Sequence, residues 1–149
     1  MKQTIILSIL LLELFAACSS LTLQPANFAW PVESVLKVDN KGEVADERYS
    51  IRFNTTGVFL EEFGDSTAYI NSEIRLLCDN NGFYFLTGEG FKNVYVFTID
   101  DGSLALENKI FISERGLVNP ALNQRSPFIE LINRESSIYL NHKGIYRIQ

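Results

Sequence analysis

Few residues in this 149-residue chain could do chemistry: one histidine, two cysteines and two knots of acidic side chains. His142 lies in Asn141-His142-Lys143-Gly144, a turn-forming run, so it reads as an exposed turn residue and not as a general base. A zinc site needs several nitrogen or sulfur ligands, more than one His and one free Cys supply. Glu61-Glu62 with Asp65, and Asp100-Asp101, could offer oxygens to a hard cation, but neither has the spacing of a calcium loop, so both read as solvated charges. There is no Gly-x-Ser-x-Gly and no glycine-rich phosphate loop, and Gly88-Glu89-Gly90 reads only as a hairpin or bulge signal. Paired carboxylates for glycoside hydrolysis depend on a separation that the fold sets. Asn54-Thr55-Thr56 matches the glycosylation triplet and reads as a turn. The expectation is a non-enzymatic protein without a metal or cofactor.

The other chemically eloquent residue is Cys18. Ahead of it stand Met1 and Lys2, then an apolar run from Ile5 to Leu12 that is too short to span a bilayer, which takes about 20 apolar residues. This order of basic start, apolar run and small residues reads as an export signal. The stretch Leu14-Phe15-Ala16-Ala17-Cys18 resembles the lipobox of bacterial lipoproteins. That resemblance covers only the first 20 residues or so and names a trafficking class; it implies that residues 1–17 are a signal peptide, in the form of a signal helix, and that the Cys18 thiol carries a diacylglycerol, usually with acylation of the freed amino group. Ser19 resembles the sorting class bound for the outer membrane. Two or more acyl chains anchor stably where a single one does not. A cut elsewhere, for example after Ser20, would instead give a secreted domain lacking Cys18.

Removal of residues 1–17 leaves 132 residues, enough for one domain that buries roughly two-thirds of its unfolded surface. Residues 18–29 read as a tether containing Pro25, and residues 30–149 as the β-rich domain, opened by the sole tryptophan, Trp30, packed over one end of the core. The net charge of −5 and the lack of any basic run argue against a nucleic-acid partner. Cys78, within Leu76-Leu77-Cys78, reads as a small packed hydrophobe.

The elements that must position these residues are strands. Asp39–Gly42, Asp79–Gly82, Asp101-Gly102 and Asn141–Gly144 each separate two β-type runs and read as hairpin turns. In Phe128–Ile132, Ile129 and Leu131 share one face, so that strand is half-buried; Val94–Ile99 is apolar on both faces and reads as a central strand. One short helix is allowed for, within Val118–Asn123. The fold class is all-β, an antiparallel sandwich or open barrel built from hairpins. Residues 114–127 read as a long connection with exposed apolar side chains, which makes Arg115, Leu117, Asn119, Asn123, Gln124 and Arg125 the expected partner-binding loop. The expected function is a lipid-anchored envelope protein that binds another protein, as an accessory subunit of an envelope or secretion assembly. An alternative is a periplasmic inhibitor or immunity-type lipoprotein that blocks an enzyme or toxin.

Overall fold

The computed structural model describes residues 32–101 and 103–147. Cys18, the tether, Trp30, Gly102 and Ile148 lie outside them. Eleven strands and one helix follow in chain order among the described residues: β1 Ser34–Lys37, β2 Glu43–Asp46, β3 Ile51–Asn54, α1 Thr56–Phe63, β4 Glu73–Cys78, β5 Tyr84–Gly88, β6 Asn93–Asp100, β7 Ser103–Phe111, β8 Ala121–Arg125, β9 Phe128–Asn133, β10 Ser136–Asn141 and β11 Gly144–Tyr146. All pairings are antiparallel: a five-stranded sheet β1-β4-β5-β6-β7, a four-stranded sheet β11-β10-β9-β8 and the β2-β3 ribbon. The fold is all-β and sandwich-like, with no closed barrel.

Alternation along the central strands decides the layering. Leu77, Phe85, Val94 and Val96 enter one apolar cluster with Leu122, Ile129, Leu131 and Leu140 of the four-stranded sheet. Their neighbours Leu76, Tyr84, Leu86 and Tyr95 point the other way, into a second cluster with Val44 and Phe59. The five-stranded sheet is therefore covered on both faces, by the second sheet below and by the ribbon and α1 above, which is why every residue of β5 is buried. The central position expected for Val94–Ile99 holds, and so does the shared inward face of Ile129 and Leu131.

Three of the four turns join paired strands. At the second, the Asp79 carboxylate accepts the Asn81 and Phe83 N–H groups at 2.8 and 2.9 Å, and Gly82 takes φ 84°. Asp39 repeats the motif, accepting from Lys41 and Glu43 at 2.8 Å each. Here the expected hairpin is corrected: β1 pairs with β4 and β2 with β3, so the Asp39–Gly42 turn carries the chain from the central sheet into the covering layer.

The helix also lies elsewhere than expected. Residues 118–123 are not helical, because Asn119 takes φ 48° before Pro120 and the chain then extends as β8. The helix is instead α1, despite poor formers at Thr56, Gly57 and Val58. The Asn54 carboxamide accepts the Thr56 N–H at 2.8 Å, the buried Thr55 hydroxyl donates to the Gly42 carbonyl at 2.8 Å, and Gly64 closes the helix at φ 68°. Tertiary packing supplies the rest: Phe59 is 2 % exposed and meets Phe91 edge-on with ring centroids 5.3 Å apart.

Candidate functional site

The six residues expected to form a partner-binding loop do not share a surface. Leu117 is fully buried, clamped by its N–H to the Phe91 carbonyl and by its carbonyl to the Gly90 N–H, both at 2.8 Å. Gln124 is buried and donates to the Phe128 carbonyl at 3.2 Å, whereas Asn123, its neighbour on β8, faces the other way, half-buried. Arg125 is exposed and paired with Glu130 at 3.0 Å, and Asn119 is pinned through its N–H to Glu89 at 2.7 Å. Arg115 is exposed beside a separate cleft of about 520 Å³ shared with Asn133 and Arg134. Leu122, expected from the sequence to be exposed, is likewise core. The reason is that Ala121–Arg125 is a strand with its apolar side toward the central sheet.

The acidic knots are also spoken for. Glu61 bonds the Lys109 ammonium, which holds its carboxyl below the usual range, and Glu62 accepts from the Lys92 N–H and the Asn93 side chain at 2.7 Å each. Asp65 caps Thr67 through its N–H and hydroxyl at 2.8 Å. Among the described residues no three His, Cys, Asp or Glu side chains converge as a metal set. His142 does sit in a turn, but half-buried and stacked on Phe83 with centroids 4.2 Å apart, not exposed. Cys78 is half-buried against the upper cluster, and burial pushes its thiol up.

What the fold does build is a groove of about 950 Å³ above the β6–β7 half of the central sheet, a size typical of ligand sites. It exists because the upper cover is narrower than the sheet. The ribbon and α1 pack on the face that carries Leu76, Tyr84, Leu86 and Tyr95, and among the described residues this cover thins toward the β6–β7 turn. Upward residues on β6 are Tyr95, Phe97 and Ile99, and their β7 partners are Lys109, Leu106 and Leu104. Exposure climbs along this row, from 3 % at Tyr95 to 54 % at Ile99 and 56 % at Leu106. Leu86 completes the floor, and Tyr95 and Phe97 lie nearly parallel, 6.4 Å apart.

One wall is β3 and the turn before it, Tyr49 to Asn54, six consecutive residues. A strand that lines a cleft with both of its side-chain sets presents its edge to it, and among the described residues β3 pairs only with β2. Backbone donors and acceptors on that edge have no strand partner among the described residues. The Glu61–Lys109 ion pair ties α1 to β7 across one end of the groove, above Tyr95, whose phenol is pushed far up by burial and by the nearby Glu62 carboxylate. The other end opens at Ser50, Ile99 and Ser103. This lining offers apolar contact, stacking surfaces and backbone hydrogen bonds. The sequence does hold a clue to it: Ile99, Leu104 and Leu106 are large apolar residues crowding a hairpin tip, a place that ordinarily carries polar ones.

Set against protein-family models, curated proteins and solved structures, the chain matches none of them.

Proposed function

We propose that this chain is a lipid-anchored protein of the bacterial cell envelope, held by Cys18, whose β domain binds another protein as an accessory subunit of an envelope assembly. The groove is the observation that carries the binding half of this reading. An extended segment of the partner adds to the open edge of β3 and lays alternate side chains on the Leu86–Phe97–Leu106 floor. Backbone pairing supplies part of the affinity and the apolar floor supplies the choice of side chains. The anchoring half is supported by Leu14-Phe15-Ala16-Ala17-Cys18 and the run before it.

Crosslinked pull-down from membranes tests both halves. Cys18→Ala leaves the membrane fraction, and Ile99→Asp, at an exposed position of the floor, stays in it while losing the captured partner. An Ile99→Asp chain that recovers the same partner in the same yield refutes the groove as the contact, and a Cys18→Ala chain that stays in membranes refutes the anchor.

A further inference from the structure

The outer face of the four-stranded sheet, on the side away from the groove, carries a second arrangement of side chains that the core does not use. Alternation turns Leu122, Ile129, Leu131 and Leu140 inward, so their strand neighbours point outward. Register then sets Asn123, Glu130, Tyr139 and Tyr146 side by side, one from each of β8, β9, β10 and β11. Phe128, two residues along β9 from Glu130, meets Tyr139 edge-on with centroids 6.4 Å apart. It stacks on Tyr146 at 4.1 Å, 22° from parallel. Because β10 separates β9 from β11, these two rings lean together over it. None of the three aromatics belongs to either core cluster, and Tyr146 is 44 % exposed.

Polar groups border the rings. Glu130 accepts from the Arg125 guanidinium at 3.0 Å, and Arg125, with Ser137 and Asn123 beside it, holds the Glu130 carboxyl below the usual carboxylate range. The two charges cancel, so the patch is neutral on a chain that carries −5. A neutral patch has no net attraction for the phosphates of a nucleic acid or of lipid headgroups. It complements an uncharged ligand that is apolar on one face and rich in hydrogen-bonding groups at its rim. A pyranose ring is such a ligand. Its C–H face packs flat on an aromatic ring, and its hydroxyls, donors and acceptors at once, suit a carboxylate, a carboxamide and a guanidinium. We propose that this face binds an uncharged polysaccharide, with a sugar ring packed on the exposed side of the Phe128–Tyr146 stack and its hydroxyls bonded to Glu130 and Asn123. With the groove on the opposite side, one domain holds a protein above and a glycan below.

The full chain, held in a sugar-free zwitterionic detergent, is sedimented with cellulose, with chitin and with starch granules. The expected result is retention on at least one of these polymers that persists in high salt, as contact without net charge does. Tyr146→Ala weakens it roughly three- to tenfold, the loss of one stacked ring. Glu130→Gln keeps the shape of the side chain, removes its acceptor charge and weakens retention too, and it serves if Tyr146→Ala disturbs β11. Ile99→Asp, on the far side of the domain, leaves retention unchanged. Retention on none of the polymers overturns the proposal, as does retention that both variants keep or that high salt abolishes. A membrane protein captured by the unaltered chain and lost by Tyr146→Ala, with no polymer sedimented, assigns the face to a protein and overturns it equally. Partner capture through Ile99 is read in the pull-down and stands or falls apart from these outcomes.

Discussion

Glu33 offers the sharpest quantitative test of how the two sheets are joined. Its carboxylate accepts the N–H of Leu122 on β8 at 3.0 Å and faces the Arg75 guanidinium on β4 at 3.7 Å. Leu122 is 1 % exposed, so Glu33→Ala leaves a buried donor without an acceptor, at a cost of about 1–3 kcal/mol. For a domain of this size a loss of about 2 kcal/mol lowers the melting point by roughly 6–10 °C. Glu33→Gln keeps an acceptor and removes only the charge. Burial raises the Glu33 pKa above its ordinary 4.5, more strongly than the Leu122 N–H and Arg75 lower it. The folded chain therefore binds the Glu33 proton more tightly than the unfolded chain, and this group's contribution to stability rises as the pH falls through the folded value. In neutral solution the ionised group is at its least favourable, so Glu33→Gln is expected to be at least as stable as the unaltered protein at pH 7, with the difference narrowing as the pH falls toward 4.5. Urea unfolding of the three chains across that range measures it. If Gln destabilises as much as Ala, charge pairing with Arg75 and not N–H acceptance holds the sheets; if neither shifts the midpoint, β8 is not docked through Glu33.

A methyl group on Gly116 would lie 2.5 Å from the Gly90 carbonyl oxygen with φ at 75°, whereas one on Gly64 meets nothing at φ 68°. Thermal melting should therefore show Gly64→Ala losing about 1 kcal/mol, the cost of a left-handed backbone alone, and Gly116→Ala losing clearly more. Asp79→Ala removes the acceptor of two N–H groups in the β4–β5 turn and should cost about 1 kcal/mol in urea unfolding with an unchanged m-value. The raised thiol of Cys78 should alkylate slowly with iodoacetamide at neutral pH and rapidly once urea unfolds the chain, and fast labelling of the native protein would contradict its burial.

What the sequence made readable was whatever depends on short-range chemistry. Asp79-Asn80-Asn81-Gly82 predicts its own turn because the Asp carboxylate and the Gly φ are local properties, and Ile129 and Leu131 share a face because pleating makes them do so. Where tertiary packing decides, the sequence was silent. Nothing in Asp39-Asn40-Lys41-Gly42 distinguishes a turn within one sheet from a turn between layers, although its hydrogen bonds match those of the Asp79 turn. Thr56-Gly57-Val58 has weak helical propensity, and α1 forms because Phe59 finds Phe91 below it. Leu117 and Leu122 look exposed in a loop-like stretch until backbone bonds to Gly90 and Phe91 clamp the first and the pairing of β8 with β9 turns the second inward.

The groove follows from a mismatch in width that no local pattern encodes. The five-stranded sheet needs cover on both faces because Leu76–Leu77 and Val94–Tyr95–Val96 are apolar on each side. The four-stranded sheet covers one face broadly. Among the described residues the other carries a ribbon of two four-residue strands and an eight-residue helix, which meets β7 at the Glu61–Lys109 pair and leaves Ile99 and Leu106 exposed. Hydrophobic residues nevertheless continue along β6 and β7 past the end of that cover, where exposed Ile99 and Leu106 cost solubility and contribute little to the fold. A further cover here would contribute about 25 cal/mol for each Å² of apolar surface removed from water, and among the described residues Ile99 and Leu106 stay exposed between the edge of β3 and the Glu61–Lys109 pair. An apolar floor beside a strand edge that is unpaired among the described residues is the surface that the proposed extended partner segment would use.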